Sequence, residues 1–178
     1  MPAEYDQPEI VAPVRPDQPD ERDLMYERVS ERSILPERIG PEAYQRYVRE
    51  TWHQRGQECT GFALAAIANY SIRRMLDDPT VPSVSRPMLY ESAQLHDDED
   101  YEEGSTLRGA LKGWRWTGVS RDDLWPYSPG DESGELEGVL DLARLLDARH
   151  RPLLRYRRIQ HADTDGMKHA LAEGHPLF

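Results

Sequence analysis

One cysteine occurs in this 178-residue chain, Cys59, and it lies where a polar loop containing Gly56 turns into an apolar run, QRGQECTGFALAAIANY over residues 54–70. From Phe62 to Ile67 every residue is apolar, so a helix here is predicted to be buried on all sides. A thiol in the first turn of such a helix faces backbone N–H groups that have no intrahelical acceptor, together with the positive end of the macrodipole. That setting favours the thiolate, which is the nucleophilic form. The competing reading is a small buried hydrophobe, the common state of a lone cysteine.

Composition narrows the field around this thiol. The net charge of −11 argues against a nucleic-acid surface, which needs clustered Lys and Arg to meet phosphates. A single cysteine permits no internal disulfide, which fits a reducing, cytoplasmic compartment. No apolar run approaches the roughly 20 residues that span a bilayer, and the N-terminus (MPAEYDQPEI) has neither the basic nor the apolar region of a signal peptide. The acidic loop over 97–103 (DDEDYEE) lacks the alternating ligands and central glycine of a calcium loop, so no metal or other cofactor is expected.

The elements that must position Cys59 can be placed in order. Residues 1–22 are Pro-rich, acidic and without periodicity, a disordered lead-in. Residues 23–178 form one domain by length. It begins with a strap over 23–40, and a segment over 41–52 that suits a short helix or a strand. The cysteine helix is predicted over 59–76, with Arg73 and Arg74 suiting its negative C-terminal end. A second helix has Ser85 as N-cap and Pro87 in its first turn. A third opens at Gly104, with Ser105 as N-cap, and stops at Gly118. A connector over 119–127 and a turn-rich loop over 128–138 lead to a helix over 138–150. The alternation in LLRYRRI over 153–159 predicts a strand, and a last helix starts at Asp163 or Thr164 and stops at Gly174.

Several short motifs now line up. Cys59-Thr60-Gly61-Phe62-Ala63 after a Gly-Gln loop, SRPMLY over 85–90, Glu103-Gly104-Ser105, and Gly118-Val119 followed by Trp125-Pro126-Tyr127 together resemble the papain-like cysteine peptidases of bacteria, the C1 family. The resemblance implies an α+β papain-like fold. The chain would hold mainly the helical N-terminal lobe and the start of a β-rich second lobe. It also implies peptide or protein substrates, with Cys59 as the nucleophile of an acyl-enzyme mechanism. Gln54 is implied as the oxyanion donor, although it stands five residues before the cysteine where the family has six. Gln57 lies too close to the thiol to reach back. Gly104 and Ser105 fall where the family binds extended substrate. Glu58 departs from the small residue expected before the nucleophile, and a carboxylate so near disfavours the thiolate unless it points to water.

The family's histidine and asparagine lie in the second lobe, and no histidine here carries the flanking residues of that motif. His53 occupies the glutamine position, His96 and His150 fall at helix ends, and His161, His169 and His175 cluster around the last helix. The chain is therefore expected to be truncated before its general base, and to be weak or inactive as a peptidase. The cysteine helix would then expose an apolar patch at Phe62 and Leu64, to be covered by the missing lobe or by a second chain. Two other readings share these residues: a non-catalytic interaction module with half a papain-like fold, and a papain-fold amidase or acyltransferase.

Overall fold

Among the described residues of the computed structural model six helices occur: α1 (Glu42–Gln45), α2 (Cys59–Leu76), α3 (Arg86–Gln94), α4 (Leu107–Thr117), α5 (Leu142–Ala148) and α6 (Thr164–Ala172). Residues 20–27, 35–54, 56–97, 104–128 and 138–178 are described. The predicted lead-in therefore lies outside them except for 20–22, which belong to a turn closed by the Asp20 carboxylate on the Arg22 N–H at 2.9 Å. The acidic loop is outside them except for Asp97, and so is the 128–138 loop except for its two ends.

The core follows from where small residues let helices approach. α3 packs against both α2 and α4, which touch each other only slightly. Leu64, Ala65 and Ala68 of α2 meet Val84, Leu89 and Ala93, and Ala110, Trp114 and Val119 close the cluster on the α4 side. Met88 points the other way, to Trp125 and Ala148, which brings α5 against the back of α3.

Cap chemistry sets most of the boundaries. Ser85 accepts the Met88 N–H at 3.2 Å and donates to the Trp125 carbonyl at 2.7 Å, so one hydroxyl both starts α3 and ties it to the connector. α4 is capped by Thr106, whose hydroxyl accepts the Gly109 N–H at 2.9 Å, and not by Ser105. α5 starts at Leu142 behind the Asp141 cap, later than the predicted start at Gly138, because Gly138 sits at φ 111°. α6 matches its expected span behind the Asp163 cap.

The predicted strand over 153–159 does not form. Its described pairing is one parallel bridge, Met25 to Arg158, in which Tyr26 N–H donates to the Arg158 carbonyl and Arg158 N–H to the Leu24 carbonyl. Leu153 packs against the core while Leu154 is 73% exposed, and among the described residues no strand runs beside the segment to pair with it. Among the described residues the fold is helix-rich, as expected of a mainly helical lobe, and its β structure is limited to isolated bridges. Of the expected strap, residues 28–34 lie outside the described ones, and residues 23–26 are tied to the rest of the domain. Asp23 grips Arg108 on α4 at 2.7 Å and Arg158 at 2.8 Å, and Arg108 above all holds the Asp23 carboxyl down at about 2.

Candidate active site

Cys59 is the first residue of α2 and is partly exposed. The first backbone bond of the helix runs from the Phe62 N–H to the Glu58 carbonyl at 3.1 Å, and no side chain caps the turn. The N–H groups of the first turn therefore stand at the thiol without a side-chain acceptor, as an anion-stabilising environment requires.

Three neighbours fix the direction of this turn. Thr60 is buried, and its hydroxyl meets that of Ser105 at 2.5 Å. Gly61 faces α3 so closely that a Cβ would lie 2.6 Å from the Arg86 carbonyl oxygen and 2.9 Å from the Tyr90 Cβ. Phe62 makes edge-on contacts with Trp52 and Tyr127, at centroid distances of 6.2 and 4.8 Å. The guanidinium of Arg86 lies over all three rings, 4.8 Å from Trp52, 5.2 Å from Phe62 and 5.1 Å from Tyr127. A cation so enclosed is held by the ring faces, with Asp122 at 3.4 Å as its counter-ion. Trp52 opens the loop to Gln54, so this cage fastens that loop to the cysteine helix. None of Thr60, Trp52, Arg86 or Tyr127 stood out in the sequence as a site residue, since each takes part through residues distant along the chain.

The sequence-predicted site residues are placed as follows. Gln54 donates its side-chain amide to the Gly56 carbonyl at 2.6 Å. Gly104, at φ 79°, gives its N–H to the Tyr90 hydroxyl at 3.0 Å, while Ser105 is buried against Thr60. The Gly104–Ser105 backbone is thus bolted to α3 and α2 together, directly behind the first turn of the cysteine helix. Ser105 acts from inside, its hydroxyl committed to Thr60.

Glu58 does not point to water. It is 4% exposed, and burial raises its carboxyl above the ordinary glutamate value of 4.5. A group that ionises less readily in the fold than in the unfolded chain destabilises the fold once it is charged. That cost is absent at low pH and grows as pH rises from 4.5 through the raised value. Glu58→Gln should therefore raise Tm at pH 7 to 8 and leave it unchanged at pH 4, as thermal melts at the two pH values will read.

The histidines stay apart from the thiol in bonding terms. His96 Nδ1 meets the Ser92 carbonyl at 2.9 Å and His175 lies 3.8 Å from Glu173. His169 is buried in α6, while His53, His150 and His161 are exposed. Among the described residues no histidine bonds to Cys59, and none forms a metal-binding group with other ligands.

The expected apolar patch at Phe62 and Leu64 is not there. Leu64 is fully buried and Phe62 is 8% exposed, because Trp52 and Tyr127 return from elsewhere in the chain to cover the ring. The open face of α2 is instead small: Ala63 and Ala66 are exposed, with Cys59 and Tyr70 partly so. Their spacing of three or four puts them on one stripe.

No protein-family model matches the chain, and no curated protein does. No helix among the described residues is long and apolar enough to cross a membrane. Among solved structures the chain is similar to xylellain, a cysteine protease from Xylella fastidiosa, at a TM-score of 0.69 and 24% identity over 90% of this chain. It spans 62% of xylellain's length. What the likeness carries is the fold alone: this helix-rich chain, with its cysteine at the head of α2, shares the fold of the part of xylellain that it covers.

Proposed function

We propose that this chain is the nucleophile-bearing part of a papain-like thiol peptidase of the C1 kind. The observation that carries the reading is a partly exposed thiol at the uncapped N-terminus of α2, in a chain with a cysteine protease fold. The Cys59 sulfur attacks a peptide carbonyl carbon, the C–N bond breaks, the amine leaves with a proton from the general base, and water then hydrolyses the thioester. The negative oxygen that forms in each step is held by backbone N–H of the first turn and by the Gln54 amide. A carboxamide nitrogen has two N–H donors. The one given to Gly56 aims the group, and the other is left for substrate. Gly104 and Ser105 support the substrate side of the site from beneath, Ser105 acting through Thr60.

The reading assigns the general base to a lobe or second chain that covers the Ala63 and Ala66 face. The test is a pair of measurements on the full chain and on Cys59→Ala. Iodoacetamide should alkylate Cys59 at pH 6 faster than it alkylates glutathione, and a fluorogenic peptide should be cleaved slowly or not at all. Alkylation no faster than glutathione sinks the nucleophile. Robust cleavage that Cys59→Ala abolishes places a working base within this chain and sinks the assignment of the base elsewhere.

A further inference from the structure

Glu58 immediately precedes the nucleophile and is buried, and its Oε2 has no hydrogen-bond partner. The carboxyl folds back over Gly56, where a Cβ would come within 2.5 Å of Oε1 and 2.8 Å of Oε2. Gly56 thus lies between two side chains, the Glu58 carboxyl packed over its Cα and the Gln54 amide on its carbonyl. Among the described residues no cation pairs with it. On α2 the titratable neighbour is Cys59, on the loop His53 is exposed, and on α3 Arg86 is taken up by Asp122 and three rings. The 104–105 segment carries no charged side chain.

Resting on the reading of Cys59 as nucleophile, we propose that Glu58 is a positioning residue that restrains it. Its carboxylate packs over Gly56 and sets a negative charge, paired with no described cation, one residue from the thiol, opposing the helix N-terminus. Adjacent residues lie about 3.8 Å apart at Cα. Fully extended side chains put the two charges at most about 12 Å apart, where at an effective dielectric of about 20 a charge changes the population of a neighbouring anion roughly tenfold. Because burial delays ionisation of Glu58, the restraint comes on as pH rises instead of acting at every pH. The pairing of a reactive-thiol position with a buried acid next to it makes the site self-limiting until something neutralises the acid, and a cationic or hydrogen-donating group of a covering segment has the chemistry to do so.

The experiment is the rate of iodoacetamide alkylation of the full chain between pH 4 and 9, for wild type, Glu58→Gln and Glu58→Met. Glu58→Gln keeps the shape of the side chain over Gly56, and Glu58→Met suits the dry pocket if the amide does not fold there. Circular dichroism confirms the fold of each. Both variants are expected to react about tenfold faster than wild type at pH 8 and at the same rate at pH 4, where Glu58 is neutral. Superimposed profiles, or an acceleration equal at both ends, overturn the proposal. If wild type reacts no faster than glutathione yet the variants show the pH-dependent acceleration, the peptidase reading fails while the restraint by Glu58 stands.

Discussion

Glu50→Ala should destabilise the fold by about 3–5 kcal/mol, the loss expected when a buried ion pair is left with one uncompensated member. Arg73, 1% exposed on α2, donates to Glu50 at 2.7 and 2.6 Å, to the carbonyls of Tyr47 and Val81 at 3.2 and 3.0 Å, and to the Ser83 hydroxyl at 3.2 Å. Those bonds use all five guanidinium N–H groups. Without Glu50 the charge remains inside with only neutral acceptors. At about 2–4 °C per kcal/mol for a chain of this size, Tm should fall by roughly 10 °C at pH 7. The effect has a pH signature. Arg73 above all lowers the Glu50 carboxyl from 4.5 to about 2, so the stabilisation is complete above 4.5 and is lost as pH falls towards 2. Wild type and variant should therefore converge over that interval in urea titrations. A loss under 1 kcal/mol at pH 7 would mean that Arg73 finds water, and the clamp would be discarded. The consequence reaches the site, because residue 50 anchors the segment that carries Trp52 and Gln54 to the cysteine.

How far the sequence reveals this arrangement depends on the range of the interaction. The bounds of α2 are readable because an apolar run begins at a loop glycine and ends at Asp77, which takes the left-handed cap. Ser85 and Asp163 are readable because capping is local. Arg73 reads from sequence as a partner for the helix dipole. Its burial is hinted at only by its place on the stripe with Ala65 and Asn69, both buried. Ser105 and Thr106 are chemically interchangeable as caps. The register of α4 selects Thr106, and this frees the Ser105 hydroxyl for Thr60. The alternation over 153–159 is present, yet a strand needs a neighbour, and local pattern does not supply one. The covering of Phe62 by Trp52 and Tyr127, and the inward turn of Glu58, are decided by chain returning from 10 to 65 residues away or by the space that a glycine leaves, which no periodicity encodes.

Gly61→Ala should then separate stability from reactivity at the site. The added methyl meets the Arg86 carbonyl at 2.6 Å and the Tyr90 Cβ and N at 2.9 and 3.2 Å. Two of these are backbone atoms of α3, which cannot swing aside, so the helices must part. Overpacking costs about 1–3 kcal/mol, offset by up to about 1 kcal/mol of helix propensity gained over glycine. The net loss of stability is modest. The displacement is not, because Gly61 is two residues from Cys59 and α2 moves away from the segment holding Ser105, loosening the 2.5 Å contact with Thr60. A shift of about 1 Å in a reacting group costs on the order of a hundredfold. Reaction of Cys59 with a peptidyl chloromethyl ketone should therefore slow by roughly 10- to 100-fold. Gly113→Ala supplies the comparison. Its methyl would run into the Ser92 carbonyl across the α3–α4 contact, a similar insult on the side of α3 away from α2. It should lower Tm as much and leave the thiol's rate within about twofold of wild type. Equal slowing in both variants would show that general loosening of the core, and not the seat of Cys59 on α3, governs the reactivity.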